Sequence, residues 1–382
     1  MKDPNYIPRS LDLQKLLKSK SYFLLGARQT GKSSLIHNQL PNCIIYNLLD
    51  SKVFLDLSQN PKLIEQELVA RQDKTTPIIV IDEIQKLPSL LNEAHLIIEQ
   101  YKVHFLLTGS SARKLRLGGV NLLGGRARSR HLHPFTYTEL GNKFDLKKAL
   151  DIGLLPSIYF SDEPYEDLKA YAGDYLKEEI ASEAIVRNIS AFSRFLQVAA
   201  LCNSQIINYT KIGNDAQVPK STVQEYFQIL FDTLIAFEVP AWKQSTKRKP
   251  VSTSKFYFFD IGIARFLQNQ EHLKLKSPEA GHAFESYIAH ELQSYRDYHG
   301  LTSSLCHWRT TNDIEVDFIF DNRIAIEVKL KETISERDLK GIKALKEEGT
   351  LERFLVVCLC SVKRIVDGIE IIPWQSLTSH LS

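Results

Sequence analysis

Apolar runs alternate with longer amphipathic stretches over the first third of the chain. Between residues 21 and 133, the runs SYFLLG, CIIYNLL, PIIVIDE and VHFLLTG contain mostly apolar residues. A run without polar alternation is typical of a strand buried on both faces, as strands of parallel sheets are. The stretches between the runs are long enough for helices. We therefore predict an α/β fold in which helices cover a parallel sheet.

The remainder of the chain shows three further patterns. Residues 134–202 have apolar positions at helical spacing, which predicts a helical lid. Residues 203–276 contain two short helical patterns and then the strand-like runs LIAFEVPAW and KFYFFDIG, the order of a winged helix-turn-helix. Residues 277–382 combine the helical pattern EAGHAFESYIAHELQSY with several strand candidates, which predicts another α/β domain.

Composition and charge narrow the class of protein. The chain has 382 residues, of which 43% are hydrophobic, enough for two or three domains. The 48 Lys and Arg residues exceed the 45 Asp and Glu residues by so little that any surface for nucleic acid has to be local. The sequence contains neither a signal-peptide pattern nor an apolar run of about 18 residues. We expect a cytoplasmic protein without membrane contact.

The five cysteines have no paired spacing, which favours a reducing compartment over a disulfide framework. Cys358 and Cys360 lie two positions apart in the apolar run FLVVCLC. Two small core residues and half of a metal site would both give this spacing. The core interpretation is favoured because no other metal ligand lies nearby in the sequence.

A nucleotide-binding motif follows the first apolar run. The segment GARQTGKSS, Gly26 to Ser34, matches the P-loop pattern G-x-x-x-x-G-K-[ST] between a strand and a helix. Gly26 and Gly31 allow backbone N–H groups to turn towards phosphates. Lys32 would reach the β- and γ-phosphates, and the Ser33 hydroxyl would bind Mg²⁺. The motif predicts ATP as ligand, Mg²⁺ as cofactor and a P-loop ATPase core over residues 1–133.

Two acidic residues end the apolar run IIVIDEIQ. They fall at the carboxyl end of a central strand, where parallel sheets place their ligands. Asp82 would hold the Mg²⁺ ion, and Glu83 would orient or deprotonate the attacking water. Adjacent acids also occur as simple strand ends, but the P-loop about 50 residues upstream favours the catalytic interpretation.

Further polar residues follow the strand-like run VHFLLTGSS. Thr108, Ser110 and Ser111 would either sense a γ-phosphate or cap the strand end. In GGRARSR, Arg126 and Arg128 would act as an arginine finger towards a neighbouring subunit or would be solvated surface charges. The predicted nucleotide ligands are Gly26, Ala27, Arg28, Gln29, Thr30, Gly31, Lys32, Ser33, Ser34, Asp82 and Ser110, and the predicted catalytic residues of this site are Lys32, Glu83 and Arg126.

Motifs along nearly the whole chain resemble those of prokaryotic AAA+ or STAND-like ATPases that carry a C-terminal domain of unknown function. They are the P-loop, VIDEIQ, LLTGSSARKL, GRARSRHLHPFTYTEL, GLLPSIY, DIGIARFL, GHAFESYIAHEL, EVDFIF and AIEVKL. The resemblance implies ATPase activity, a winged helix and a C-terminal fold similar to restriction endonucleases. One segment departs from the family pattern, because the chain reads EEIASEAIV where an Arg-Asp-Ile type triplet is usual.

The runs EVDFIF and RIAIEVKL form a candidate hairpin around Asp321, Asn322 and Arg323. A three-residue loop would pair Phe320 with Ile324 and place Asp317 opposite Glu327, with Cβ atoms about 5 Å apart. Both carboxylates would then bind one Mg²⁺ ion, and Lys329 would project from the same face to assist a metal-bound water. This is the logic of the PD-(D/E)xK signature.

Glu285, in GHAFESY, resembles the additional acidic residue that such folds bring from their first helix. The predicted metal ligands of this second site are Glu285, Asp317 and Glu327, and its predicted catalytic residues are Asp317, Glu327 and Lys329. A competing interpretation is the solvated face of an edge hairpin, where charges also alternate. A two-residue loop would instead place Asp317 opposite Ile326 and turn the carboxylates to opposite sides of the sheet.

The helix-turn-helix pattern suggests a surface for DNA. Its second helix would present Lys220, Ser221, Gln224 and Gln228, and a basic wing would extend Lys243, Lys247, Arg248 and Lys249 towards phosphates. Winged helices in ATPases also serve as packing or lid modules, so both interpretations remain open.

We interpret the sequence as an ATP-driven machine or switch that is coupled to a restriction-endonuclease-like domain, with DNA as the expected partner. One alternative is a nucleotide-dependent regulatory or scaffolding protein whose C-terminal domain binds a protein partner and cleaves nothing. Another is a protein-remodelling ATPase, a homo-oligomer in which Arg126 or Arg128 reaches a neighbouring subunit. Convergence of Glu285, Asp317, Glu327 and Lys329 on one open cleft would favour the first interpretation.

Overall fold

The structure is a computed structural model, and it describes residues 6–71, 77–111, 123–175 and 188–381. The chain divides into two units, of which the first comprises residues 1–140 and 232–234 and the second residues 141–231 and 235–382. The segment EEIASEAIV lies outside the described residues.

A five-stranded parallel sheet forms the centre of the first unit. Its strand order is β2-β3-β4-β1-β5, and all neighbouring strands run parallel. The strands are β1 (Ser21–Leu25), β2 (Ile44–Asn47), β3 (Ile78–Asp82), β4 (His104–Gly109) and β5 (Ala127–His131). The first four strands coincide with the apolar runs, so the predicted α/β fold with a parallel sheet is confirmed.

The hydrophobic pattern does not predict strand β5, because its sequence ARSRH is mostly polar. The strand lies at the edge of the sheet beside β1, and Arg128 and Ser129 are exposed. An edge strand is partly solvated and does not need an apolar run. The arginine-rich segment is therefore part of the sheet.

The first unit also contains the helices α1 (Leu13–Leu17), α2 (Lys32–Gln39), α3 (Ser51–Gln59), α4 (Leu63–Ala70), α5 (Leu90–Tyr101) and α6 (Tyr137–Leu140). Side chains of α3, α4 and α5 share one apolar core with the sheet. Ile79, Val80 and Ile81 are all 0% exposed, which shows that both faces of β3 are covered. Side chains of α5, such as Leu91 and Ala94, belong to the same core.

Helices begin the second unit, where the apolar spacing predicts them. They are α7 (Leu146–Ile152), α8 (Pro156–Tyr159), α9 (Pro164–Lys169) and α10 (Ile189–Leu201). Two more helices, α11 (Tyr209–Ala216) and α12 (Lys220–Asp232), flank a turn in which Gln217 has a φ of 55°. An antiparallel pair of strands follows, β6 (Ala236–Val239) and β7 (Lys255–Phe258).

Two of the sequence motifs meet at Asp260, the N-cap of α13 (Ile261–Leu267). The Asp260 carboxylate accepts hydrogen bonds from the backbone N–H of Gly262 at 2.9 Å and, across the fold, from that of Leu154 at 2.7 Å. Gly153 has a φ of +82°, and a Cβ atom there would lie 1.9 Å from Asp260 Oδ1. The segments GLLPSIY and DIGIARFL therefore form one structural joint.

The C-terminal part of the second unit contains a mixed six-stranded sheet of order β12-β13-β11-β10-β9-β8. The strands are β8 (Leu305–Arg309), β9 (Glu315–Phe320), β10 (Ile324–Lys329), β11 (Arg353–Cys358), β12 (Arg364–Val366) and β13 (Ile369–Pro373). Strand β11 runs parallel to both β10 and β13, and the other neighbouring pairs are antiparallel. The helices are α14 (Pro278–His299) and α15 (Lys340–Lys346).

The hairpin of β9 and β10 has the predicted register. Phe320 pairs with Ile324, which leaves Asp321, Asn322 and Arg323 as the loop. Asp321 and Asn322 have φ values of 56° and 53°, a region in which Asp and Asn are enriched. The prediction of a three-residue loop is confirmed, and the two-residue alternative is wrong.

Cys358 and Cys360 are both buried in the apolar core of the C-terminal sheet, as the core interpretation predicts. The cysteines are free thiols. None of the described helices has the length and apolar character that are needed to cross a membrane.

Candidate nucleotide site and candidate carboxylate-lysine site

The P-loop connects β1 to α2 in the first unit. Gly26 N–H donates to Gly109 O at 3.2 Å, and a Cβ atom on Gly26 would lie 2.4 Å from Leu132 O. This close approach of two backbone segments requires glycine at position 26. Gly31 has a φ of 93° and forms the N-cap of α2, so the amino end of the helix faces the loop. The loop has the geometry in which helix N-termini bind phosphates.

The ammonium of Lys32 lies against the loop itself. Its Nζ atom donates to Gly26 O at 2.7 Å and to Ala27 O at 3.1 Å, and the residue is 6% exposed. The loop is closed further by a hydrogen bond from Thr30 Oγ1 to Ala27 O at 2.8 Å. A phosphate would compete with neutral carbonyls for the Lys32 ammonium.

The carboxylate of Asp82 lies next to the first residues of α2. Its Oδ2 atom accepts a hydrogen bond from Ser33 Oγ at 3.4 Å, and its Oδ1 atom accepts one from the Thr108 hydroxyl. Thr108 Oγ1 in turn accepts a hydrogen bond from the Glu83 N–H at 3.2 Å. The structure thus brings together two predicted Mg²⁺ ligands, Ser33 and Asp82. It assigns Thr108 to the support of Asp82.

Glu83 is 7% exposed and has a φ of 60°, which turns its side chain away from the line of β3. Its Oε2 atom accepts a hydrogen bond from Gln85 Nε2 and lies 3.5 Å from Ser110 Oγ. Gln85 Nε2 also donates to Ser110 Oγ at 3.1 Å. Gln85 therefore links the two polar residues that were predicted to act on the γ-phosphate side. The sequence offered only its position in VIDEIQ as a signal.

Arg9 is a second residue that the motifs do not predict. Its guanidinium donates to Thr30 O in the P-loop at 2.6 Å and to His133 O at 2.5 Å. It also forms an ion pair with Glu139 at 3.0 Å, with both side chains almost completely buried. Arg9 thereby ties the P-loop to the segment that follows β5. It precedes the first helix and belongs to no motif.

The remaining predicted ligands differ in their exposure. Ala27 and Thr30 are buried, Arg28 is half-buried, and Gln29, Ser33 and Ser34 are exposed on the loop and α2. Arg126 forms an exposed ion pair with Glu99 of α5, and its side chain is 37% exposed. This contact fits the surface-charge interpretation of Arg126 and leaves its role as an arginine finger a prediction.

The predicted residues of the second site occupy neighbouring positions in the second unit. Asp317 lies on β9, Glu327 and Lys329 on β10, and Glu285 on α14. Asp317 Oδ2 accepts a hydrogen bond from Val328 N–H at 2.8 Å, and Lys329 Nζ lies 2.5 Å from Glu327 Oε1. Asp317, Lys329 and Glu285 line a cavity of about 490 Å³. Glu327 lies behind this lining.

Burial raises the pKa of both carboxyl groups in the hairpin. The pKa of Asp317 is raised to about 6, by burial and then by the charge of Glu285. The pKa of Glu327 is raised to about 8, by burial and then by the charge of Asp317. Among the described residues, the buried Glu327 Oε2 atom has no hydrogen-bond partner. The pair therefore holds a proton more strongly than two solvated carboxyl groups would.

An unpredicted lysine lies among these carboxylates. Lys255, at the start of β7, is 2% exposed. Its Nζ atom lies 3.0 Å from Glu285 Oε1, 2.6 Å from Glu315 Oε1 and 3.9 Å from Asp317 Oδ1. Tyr257 OH also donates to Glu285 Oε1 at 2.7 Å. Burial alone would lower the pKa of Lys255, but the negative charges of Glu285, Asp317 and Glu315 raise it above its ordinary value.

The described residues contain no group of three or more His, Cys, Asp and Glu side chains arranged to hold a metal ion. Glu285 and Asp317 reach the cavity, but the Lys255 ammonium lies next to oxygens of both. In this conformation the carboxylates fit an ammonium better than they fit a metal ion.

The predicted DNA-facing residues have mixed surroundings. On α12, Lys220, Ser221, Gln224 and Gln228 share an exposed face. The prediction that Arg248 extends towards phosphates is wrong, because its guanidinium donates to Ala344 O at 2.9 Å and pairs with Glu347 and Glu348. The backbone N–H of Lys247 also donates to Glu348 Oε2, at 2.7 Å. The segment between β6 and β7 is thus bound to the end of α15.

Three protein-family models match successive parts of the chain. Residues 18–141 match an AAA domain. Residues 143–275 match a domain of unknown function, DUF8612, and residues 280–377 match another, DUF4143. No curated protein matches the sequence.

Solved structures with similar folds share 15% sequence identity with the chain. The Walker-type ATPase PABY2304 of Pyrococcus abyssi matches over 70% of this chain and 96% of its own, with a TM-score of 0.44. The Orc1 protein of Aeropyrum pernix, solved in complex with DNA, matches over 70% and 95%, with a TM-score of 0.32. These scores are too low to add to the assignment, which depends on the AAA match and the P-loop geometry. Residues 18–141 form a P-loop ATPase domain of the AAA type.

Proposed function

We propose that the first unit hydrolyses ATP with Mg²⁺. The observation that carries the proposal is the contact of Ser33 with Asp82 at the amino end of α2, beside a P-loop whose lysine donates to the Gly26 and Ala27 carbonyls. A hydroxyl and a carboxylate are oxygen ligands of the kind that Mg²⁺ prefers beside a nucleotide. When bound, Mg²⁺ neutralises charge on the β- and γ-phosphates.

Each residue of the site has its own role in hydrolysis. The Lys32 ammonium leaves the Gly26 and Ala27 carbonyls and binds the β- and γ-phosphates. Glu83 accepts the proton of the attacking water, and Gln85 and Ser110 orient its carboxylate through the hydrogen bonds described above. Contact of the γ-phosphate with Ser110 also affects Glu83, because Ser110 and Glu83 bind the same Gln85 amide. Arg9 keeps the P-loop backbone in place.

Glu83→Gln tests this assignment of the base. The variant should bind ATP as the unchanged protein does and should lose turnover by about a hundredfold, because an amide cannot accept the proton. Lys52→Ala, an exposed change on α3, serves as control. Filter binding of labelled ATP and phosphate release give the two readouts. Turnover at the unchanged rate in Glu83→Gln would remove Glu83 from the mechanism.

We propose further that the second unit acts on nucleic acid, with DNA as substrate class. The supporting observation is that Asp317, Lys329 and Glu285 line one cavity beside the buried Glu327. Metal-assisted phosphodiester cleavage uses a carboxylate pair with a neighbouring lysine, and in this conformation the Lys255 ammonium lies beside Glu285 and Asp317. In this reading, residues 203–276 are a winged helix-turn-helix whose α12 face binds DNA, and residues 277–382 are a restriction-endonuclease-like domain. ATP turnover in the first unit would drive or switch this activity.

Plasmid and single-stranded DNA test the nuclease proposal. The full chain is incubated with Mg²⁺ or Mn²⁺, with and without ATP, beside Asp317→Asn and the exposed control Glu332→Gln. Cleavage that Asp317→Asn loses and Glu332→Gln keeps would support a metal nuclease, and its dependence on ATP would show coupling. Absence of cleavage with intact ATP turnover would instead favour a regulatory ATPase with a non-cleaving C-terminal domain. The position of the Lys255 ammonium beside the carboxylates is consistent with that alternative.

A further inference from the structure

Lys255 is a buried cation that the nuclease-like arrangement does not need. It comes from β7, a strand of the hairpin that precedes α14, and its ammonium reaches carboxylates on α14 and β9. The strand is fixed by its pairing with β6, in which Lys255 is opposite Val239. Lys329 already supplies the lysine of the predicted signature, so Lys255 has a separate role.

Several carboxylate oxygens around the cavity already have partners. Asp317 Oδ2 accepts the Val328 N–H, while Asp317 Oδ1 faces Lys255 Nζ at 3.9 Å. Glu285 Oε1 is bound by both Lys255 and Tyr257. A divalent cation that bridged Asp317 and Glu285 would lie within a few ångströms of the Lys255 ammonium. Repulsion at such a distance in a buried site costs several kcal/mol on the order-of-magnitude scale of Coulomb's law.

We propose that Lys255 is an internal cation that takes the place of a divalent metal ion between Glu285, Glu315 and Asp317. The site is therefore closed to Mg²⁺ and Mn²⁺ in this conformation. The inference rests on the proposed carboxylate-lysine site. The lysine belongs to the part of the chain that matches DUF8612, and the carboxylates belong to the part that matches DUF4143.

The experiment is a Mn²⁺ titration of the full chain without nucleotide, in which electron paramagnetic resonance measures the free ion. The variants are Lys255→Met, the double variant Lys255→Met/Asp317→Asn, and Lys276→Met as matched control, since Lys276 lines the same cavity and is exposed. Lys255→Met should bind one Mn²⁺ ion at least about tenfold more tightly than the unchanged protein, because repulsion is removed and the carboxylates remain. The double variant should lose this gain, and Lys276→Met should behave as the unchanged protein.

Equal Mn²⁺ affinity in the unchanged protein and in folded Lys255→Met would overturn the proposal. If Lys255→Met does not fold, acetylation of the unchanged protein, read by mass spectrometry at each lysine, replaces it. Lys276 should then react readily and Lys255 slowly, and millimolar Mn²⁺ should leave the rate of Lys255 unchanged, because the ion does not displace the buried ammonium. Acetylation of Lys255 as fast as that of Lys276, or a rate that rises with Mn²⁺, would also overturn the proposal.

These readouts do not depend on DNA cleavage. If Lys255→Met binds Mn²⁺ more tightly and cleaves no DNA, the nuclease proposal is wrong and the proposal for Lys255 stands. Cleavage by the unchanged protein without any Mn²⁺ gain in Lys255→Met would do the reverse.

Discussion

Two buried lysines, one in each unit, have ammonium groups that are held by different kinds of partner. Lys32, 6% exposed, donates to the carbonyls of Gly26 and Ala27, which are neutral. Lys255, 2% exposed, contacts the carboxylates of Glu285 and Glu315. The carboxylates add the attraction of opposite charges, which neutral carbonyls lack, so Lys32 can change partners more readily than Lys255.

Lys32 is therefore available to bind the phosphates of a nucleotide, whereas Lys255 occupies the place of a metal ion. A phosphate offers Lys32 a charged partner in place of neutral ones, so nucleotide binding is favoured. A metal ion that bound the carboxylates around Lys255 would be a second cation beside the Lys255 ammonium, so its binding is disfavoured. An ATP site can therefore be ready in the same conformation in which the carboxylate site is closed.

The largest effect on stability is expected from removal of the Lys255 ammonium, which contacts carboxylates. Lys255→Met should lower the free energy of unfolding of the second unit by about 3 to 5 kcal/mol in metal-free buffer, because it leaves buried carboxylates without a counter-ion. Differential scanning calorimetry in the presence of a chelator measures the loss, with Lys276→Met as control. A loss below about 1 kcal/mol would mean that the carboxylates are solvated or protonated without Lys255.

Removal of the other lysine should affect binding and spare stability. Lys32→Ala should weaken ATP binding by about a hundredfold, since the charged contact with the β- and γ-phosphates is lost. Its melting temperature without nucleotide should stay within about 2 °C of the unchanged protein, because its partners are neutral carbonyls. Equilibrium binding and a thermal melt provide the two numbers. A large drop in melting temperature would show that Lys32 has a structural role like that of Lys255.

The nucleotide site could be predicted from the sequence because its parts are local. Gly26, Lys32 and Ser33 belong to one loop, and Asp82 and Glu83 end one apolar run that can only be a buried strand. The hairpin register was also local, since a three-residue loop fixes the pairing of Phe320 with Ile324.

The unpredicted residues depend on contacts between distant parts of the chain. Lys255 and Glu315 are 60 positions apart, and Lys255 begins the aromatic run KFYFF, where a single charge reads as a solvated strand end. Arg9 reaches His133 across 124 positions. Arg248 was predicted to face phosphates because charge runs are usually solvated, whereas Glu347 and Glu348 bind it. Periodicity reports which face is buried and cannot report which partner a buried charge meets.

A smaller effect, on ATP turnover, is expected from substitution of Gln85, which links Glu83 to Ser110 in the nucleotide site. Gln85→Leu should lower kcat for ATP about tenfold and leave KM unchanged, because the Glu83 carboxylate loses a hydrogen bond that orients it and the phosphate contacts remain. Gln59→Leu, an exposed change on α3, is the control. Steady-state phosphate release separates kcat from KM. A higher kcat would mean that Gln85 holds Glu83 away from the water.

The last effect concerns the pH dependence of the closed site. The pKa of Glu327 is raised from 4.5 to about 8 in the folded protein, so the folded state retains a proton that the unfolded state releases between these values. Stability from this group is therefore present below pH 4.5 and is lost as the pH rises towards 8. Glu327→Gln, which cannot ionise, should therefore become more stable relative to the unchanged protein as the pH rises from 5 to 8. Thermal melts of both proteins across this range measure the gain, and a constant difference would show that the Glu327 carboxylate is already ionised and stabilised by Lys329.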